Sequence, residues 1–294
     1  MSFEVSWQSQ KASVQKIMLN KAVLMKCMLA AILALLLGGC GLRHARVDTH
    51  ESLNAALWIQ TSAEYTATTL QTYRIAASNL DLALADPHWT AALEQVGDYT
   101  GLPAAIVLDL DQTVLDTGSY NARIILQHGS HAGESFLDWC QQVTAPAIPG
   151  VKDFIEYAVK RGVNVIYNSA RNEDLRDCTA RNLQALGLPL AEPQHLLLND
   201  GTASTSKEQQ RAWVASQYRI LLLVGDNLND FVGGTRTDAA TRRVIANQHA
   251  GRWGREWIIL PNPMFGSWEY SLYDFEYDLS RDERLRRKYP QLQQ

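Results

Sequence analysis

Asp109 and Asp111 stand two positions apart where an apolar run, Ile106-Val107-Leu108, gives way to polar residues. Side chains two apart on a strand project from one face, so the pair crowds like charges within a few ångströms. A hard divalent cation with oxygen ligands relieves that repulsion, and Mg²⁺ typically takes one or two carboxylates and keeps several waters. The alternative is a pair of solvated loop aspartates. Other polar groups weigh against it, because they recur where apolar runs end. Asn168-Ser169-Ala170-Arg171 follows Val163–Tyr167, Gly225-Asp226-Asn227-Leu228-Asn229-Asp230 follows Ile220–Val224, and Lys207 opens a helical stretch.

The elements that would position these groups are short strands alternating with helices. Strands are predicted at Ala104–Leu110, Val163–Asn168, Ile220–Val224 and Trp257–Leu260, with a weaker one at His195–Leu198. Helices are predicted at Val151–Lys160, Asp174–Leu186 and Lys207–Ser216. This alternation implies an α/β protein, a parallel sheet covered on both faces, whose ligands bind beyond the carboxyl ends of the strands. Leu70, Tyr73, Ala77, Leu80 and Leu84 mark a helical run from Glu51 to Ala85, closed by Pro87.

The chain of 294 residues is 46% hydrophobic, enough for a globular core. Lys11, Lys16, Lys21 and Lys26 precede an uncharged run, Cys27–Leu37, that ends in Gly38-Gly39-Cys40. That pattern is a secretory signal, too short to span a bilayer as a mature helix, with Cys40 as the lipidated first residue of the mature chain. Met25 is a plausible alternative start. Gly41 in place of aspartate favours the outer membrane. Removing residues 1–39 takes away four lysines and one glutamate, moving the formal net charge from −4 to −7 (−4 − 4 + 1) and arguing against a nucleic-acid polymer as partner. Cys140 and Cys178 have no metal-ligand spacing; an oxidising compartment permits a bond between them, for which sequence cannot show the required proximity, and they are taken as packing residues. The cluster Arg281, Arg284, Arg286 and Arg287 is interleaved with acids and reads as a solvated helix face.

Asp109-Leu110-Asp111-Gln112-Thr113, Ser169, Lys207 and Asp226 to Asp230 occur in the order of the four motifs of the haloacid dehalogenase superfamily. The chain more closely resembles the class C acid phosphatases, the secreted lipoprotein type of 5'-nucleotidase. Supporting stretches are Leu57 to Tyr65 and Leu260-Pro261-Asn262-Pro263-Met264-Phe265-Gly266-Ser267-Trp268-Glu269.

The resemblance implies a Rossmann-like parallel sheet core with a smaller, mainly helical cap. The expected division is a signal peptide at 1–39, an N-terminal helical segment contributing to the cap at 40–103, a catalytic core at 104–116 and 150–270, a cap insertion at 117–149 and a helical tail at 271–294. It implies a phosphomonoesterase acting on nucleoside 5'-monophosphates, with Asp109 as nucleophile and Asp111 as general acid and base. Asp109, the Asp111 backbone carbonyl and Asp226 would hold Mg²⁺, with Asp230 supporting from behind. Ser169 and Lys207 would bind phosphate, and Phe136 and Phe265 would stack on the base. Gln112, Ala170 and Asn229 depart from the residues common in the family, which bears on the surroundings of the metal and phosphate. A phosphotransferase and a non-catalytic nucleotide-binding lipoprotein are the alternatives. Gln127 before His128-Gly129 excludes a histidine acid phosphatase, and His128 and His131 are read as solvated loop residues.

Overall fold

The apolar runs pair into a five-stranded, all-parallel sheet of order β3-β2-β1-β4-β5. The strands are β1 (Ala104–Leu108), β2 (Asn164–Asn172), β3 (Leu196–Asn199), β4 (Arg219–Gly225) and β5 (Trp257–Ile259). This computed structural model describes residues 50–127, 133–202 and 205–293, together with Met25. Residues 1–39, Met25 apart, together with Cys40, His128 and His131, lie outside the described residues, so the expectations placed on them are not addressed by the fold.

Parallel strands need both faces covered, and β4 is buried at every position. Ile106, Leu108, Val165 and Tyr167 face one core, while Ala105, Val107 and Ile166 face the other. The alternation on β4 breaks once. Ile220 faces the second core, Leu221 and Leu222 both face the first, and Leu223 returns to the second. Opposite β1 the register jumps from Ile220 to Leu222. Leu221 is thus the extra residue of a bulge that resets which way the strand end points.

The predicted helical run over Glu51–Ala85 is two helices, α1 (Leu53–Thr61) and α2 (Ala63–Ala85). Ser62 parts them, its Oγ accepting from the Tyr65 amide at 3.0 Å as the N-cap of α2. The helix α2 packs against β4 and α5 (Val151–Lys160), with Tyr73, Ala76 and Leu80 fully buried. It therefore covers the sheet. The helix α1 instead packs on α3 (Gly118–Leu126), in the segment expected to form the cap, and Gln60 Nε2 donates to the Gly118 carbonyl at 2.9 Å. Within the segment 40–103, α1 is thus the part that contacts the expected cap insertion, while α2 serves the sheet.

Between β1 and α5 lie α3 and α4 (Gly133–Cys140). On the core side, α6 (Arg176–Ala185) follows β2. Cys140 and Cys178 are joined by a disulfide, so they are not mere packing residues. Sequence reading had no means of showing that α4 and α6 are neighbours. Asn182 of α6 adds a second tie, exchanging hydrogen bonds of 2.9 and 3.0 Å with the backbone of Ala145.

The remaining helices are α7 (Lys207–Gln217), α8 (Ala239–Gln248), α9 (Ser267–Tyr270) and α10 (Arg281–Lys288). The face of α10 is not simply solvated. Arg281 and Arg284 reach the largely buried carboxylate of Glu51 at 2.9 and 3.4 Å, and Arg287 pairs with Glu276 at 2.7 Å. Among the described residues no helix is long and apolar enough to cross a membrane.

Candidate active site

The carboxyl ends of β1, β2 and β4 bring the sequence-predicted polar groups together. Asp109 leaves β1 with its amide still bonded to the Val224 carbonyl at 2.9 Å, which fixes it beside the end of β4. The chain then folds back tightly. The amides of Val114 and Leu115 both donate to the Leu110 carbonyl at 2.8 Å, and Gln112 takes φ = 58°, a left-handed conformation unusual for a residue with a side chain. Tyr73 of α2 braces this turn, its hydroxyl donating to the Thr113 carbonyl at 2.6 Å.

Asp230 is aimed by its own backbone neighbourhood. Its Oδ2 accepts from the amides of Asp226 and Asn227 at 3.1 and 2.8 Å. Gly225 leaves room for it. A Cβ there would lie 2.3 Å from Asp230 Oδ2. Lys207, the first residue of α7, places its Nζ between Asp109 and Asp230, donating to both, with 2.5 Å to Asp230 Oδ1. Its main-chain carbonyl accepts from Asn168 Nδ2 at 3.1 Å, tying α7 to β2.

Asp109, Asp226 and Asp230 can each bring one carboxylate oxygen within 4.8 Å of the others. All-oxygen donors at that spacing fit a hard divalent cation. With both oxygens of Asp230 already taken by amides and the lysine, Asp109 and Asp226 are the freer ligands. Asn262 orients the latter, its Nδ2 donating to Asp226 Oδ2 at 2.7 Å. Sequence reading quoted Asn262 but gave it no role.

Electrostatics mark the same cluster. Burial, opposed by Lys207 and reinforced by the charges of Asp230 and Asp111, pushes the Asp109 carboxyl up to about 6. Burial and the neighbouring Asp109 and Asp230 carboxylates raise Asp226 well above the ordinary carboxylate range. Burial alone would lower Lys207, but Asp109 and Asp230 hold its ammonium above the usual lysine value. Four aspartates, including Asp111, face two cations, Lys207 and Arg171. That leaves an excess of negative charge suited to a dication.

Arg171 is the largest omission of the sequence reading. It lies inside β2, which runs beyond the strand end expected at Asn168 and stops at Asn172. Its buried guanidinium grips Asp111, with Nη2 at 2.7 Å from Oδ1 and Nε at 3.0 Å from Oδ2. The order of a serine and an arginine was visible, but not the 60-residue jump to Asp111.

Asp109, Asp111, Lys207, Asp226, Phe136 and Phe265 line one cleft of about 460 Å³, shared with Tyr120 and Tyr270. Phe136 is 8% exposed and sits edge-on to Tyr120 with ring centroids 4.9 Å apart, so most of its ring is committed to packing. Phe265 is more open. Ser169 is buried, its Oγ accepting the Arg171 amide at 3.2 Å, and it borders an adjoining cleft with Ala170 and Lys207. Trp139 is core, whereas Trp268 is 42% exposed.

The parallel α/β sheet thus carries acidic groups at the ends of two adjacent central strands, with a lysine from a helix beside them, the arrangement that the sequence resemblance implies. The model of the haloacid dehalogenase superfamily, subfamily IIIB (acid phosphatase), matches residues 25–268. A class C acid phosphatase from Bacillus anthracis is similar at 34% identity and a TM-score of 0.74, over 83% of this chain and 97% of that one. A structure of the class C acid phosphatase from the same organism with tungstate bound matches at 33% identity, TM-score 0.73, over the same shares. The chain belongs to the subfamily IIIB acid phosphatases of that superfamily and is a phosphoric monoester hydrolase.

Proposed function

We propose that this protein is a Mg²⁺-dependent phosphatase of nucleoside 5'-monophosphates that works through an aspartyl-phosphate. The observation that carries the reading is the buried Asp109, ion-paired to Lys207 and clustered with Asp226 and Asp230 at the floor of an aromatic-walled cleft. The tungstate bound by the Bacillus anthracis enzyme is a tetrahedral oxyanion, in keeping with a phosphoryl subsite.

In this scheme the Asp109 carboxylate attacks phosphorus while the ester oxygen departs, splitting one difficult displacement into two easier ones. Asp111 protonates that oxygen, then takes a proton from the water that cleaves the acyl phosphate. Lys207 neutralises charge on the phosphoryl oxygens, held in place by Asp230, and Ser169 adds a hydroxyl donor. Asp109, the Asp111 carbonyl and Asp226 would hold Mg²⁺, which supplies positive charge for the phosphoryl oxygens. Phe265 offers a stacking face without hydrogen-bonding selectivity among bases, with Phe136 as the second wall.

We further propose export as a lipoprotein anchored through Cys40, on the outer membrane. The Cys140–Cys178 disulfide supports an oxidising compartment. Phosphate release from a nucleotide panel and small alkyl phosphates, with Mg²⁺ and with EDTA, tests the activity. Adding an acceptor alcohol distinguishes hydrolysis from transfer. Undiminished turnover in EDTA would refute the metal assignment, and fatty-acid labelling that survives Cys40→Ser would refute the anchor.

A further inference from the structure

We propose that Arg171 is a positioning residue that orients Asp111 for proton transfer, and that the Cys140–Cys178 disulfide holds Arg171 in place from the cap side. The proposal rests on the reading of Asp111 as the proton donor to the leaving oxygen.

Arg171 carries five N–H donors on a rigid plane, a fork that matches a carboxylate. Its side chain is 2% exposed, so nearly every donor must be met within the protein. Nε and Nη2 go to Asp111. Both approach Oδ1, at 3.2 and 2.7 Å, whereas Oδ2 receives Nε alone at 3.0 Å. Oδ1 is therefore the anchored oxygen, and Oδ2 keeps capacity to carry the transferred proton. Asp111 itself is 20% exposed and lines the cleft, as a proton donor to a bound ester must.

The other edge of the guanidinium faces the link between cap and core. Nη1 donates to Thr179 Oγ1 at 2.8 Å and lies 3.7 Å from Cys140 Sγ. Thr179 adjoins Cys178 on α6 and is fully buried, while Cys140 comes from α4. The plane also lies 5.2 Å from the centre of the Phe136 ring, again on α4. Arg171 thus sits in a box with one wall from α6 and two from the insertion, and the disulfide closes that box. Opening it frees the guanidinium to shift and loosens the bidentate hold on Asp111.

Proton donation matters most when the departing oxygen is a poor leaving group and little when it is a stabilised phenolate. The comparison is therefore an alkyl phosphate against p-nitrophenyl phosphate, with wild type, Arg171→Gln, Arg171→Lys and Asp111→Asn, folding being checked by circular dichroism. Arg171→Gln is expected to lose about 100-fold in kcat on the alkyl ester and less than about 5-fold on the nitrophenyl ester. Arg171→Lys should recover part of the alkyl loss, since it restores charge without the bidentate geometry. In an Asp111→Asn background, Arg171→Gln should add no more than about twofold, the two residues acting as a unit.

Dithiothreitol, which donates two electrons and two protons to give two cysteine thiols, should reproduce the leaving-group dependence at about tenfold on the alkyl ester, as should a Cys140→Ala, Cys178→Ala double variant. Equal losses on both esters in Arg171→Gln and Arg171→Lys, or losses that add to that of Asp111→Asn, overturn the positioning role. A disulfide-free enzyme with an unchanged ester ratio overturns the role of the disulfide. Asp111→Asn that treats both esters alike removes Asp111 from proton transfer, a failure distinct from either.

Discussion

Binding of Mg²⁺ is expected to expel protons and to weaken as the pH falls below about 6. Asp109 titrates at about 6 in the metal-free protein against an ordinary 3.8, because it is buried beside other carboxylates. A raised carboxyl binds its proton more tightly folded than unfolded, so the metal-free fold loses stability as pH rises from about 4 to 6. At about 1.4 kcal/mol for each tenfold gain in proton affinity this amounts to roughly 3 kcal/mol. A cation reverses the preference by requiring the ionised form. With one group at about 6, the apparent affinity falls about tenfold between pH 7 and 5, or about 1.4 kcal/mol, and nearly one proton leaves Asp109 per ion bound at pH 5. Asp226, also raised by burial and by the neighbouring Asp109 and Asp230 carboxylates, adds to this release. Calorimetric titration of the metal-free protein with MgCl₂ in two buffers of different ionisation enthalpy counts the protons without reference to turnover. An affinity that stays level from pH 7 to 5 with no proton release would refute the assignment of Asp109 and Asp226 as ligands.

Asp109→Asn should reduce kcat below about one thousandth of wild type, with no phosphate trapped on the protein after an acid quench, because the amide is a poor nucleophile. Gly225→Ala should displace Asp230, whose Oδ2 would lie 2.3 Å from the new Cβ, and so release Lys207. A loss of about 1–3 kcal/mol in denaturant unfolding together with at least tenfold lower kcat is expected, and a variant of wild-type stability and rate would contradict the packing described. Phe265→Ala should raise KM for nucleotides about tenfold with little change in Tm. Phe136→Ala, by contrast, should cost about 3–5 kcal/mol of stability because its ring packs on Tyr120 and Trp139.

Much of the fold was legible because parallel strands buried on both faces are written as continuous apolar runs, and each predicted strand is found, β3 included. The order of Asp109, Ser169, Lys207 and Asp226 was equally readable, since chain order and strand ends are local properties and together identify the family. What local patterns do not carry is which distant residues become neighbours. The break at Ser62 left no trace in the apolar spacing, so α1 and α2 read as one helical run, and the spacing did not tell which part lies on the sheet and which reaches the insertion. Arg171 looked like a polar strand end, yet it is buried against a carboxylate 60 residues earlier in the chain. Cys140 and Cys178, 38 residues apart, had no spacing to distinguish a disulfide from packing. The sequence by itself determined the sheet, the order of the reactive groups and the kind of chemistry they perform. Only the tertiary structure decided which oxygens of Asp230 and Asp111 are already engaged and how insertion and core are tied around the cleft, because those depend on the packing of segments remote in the chain.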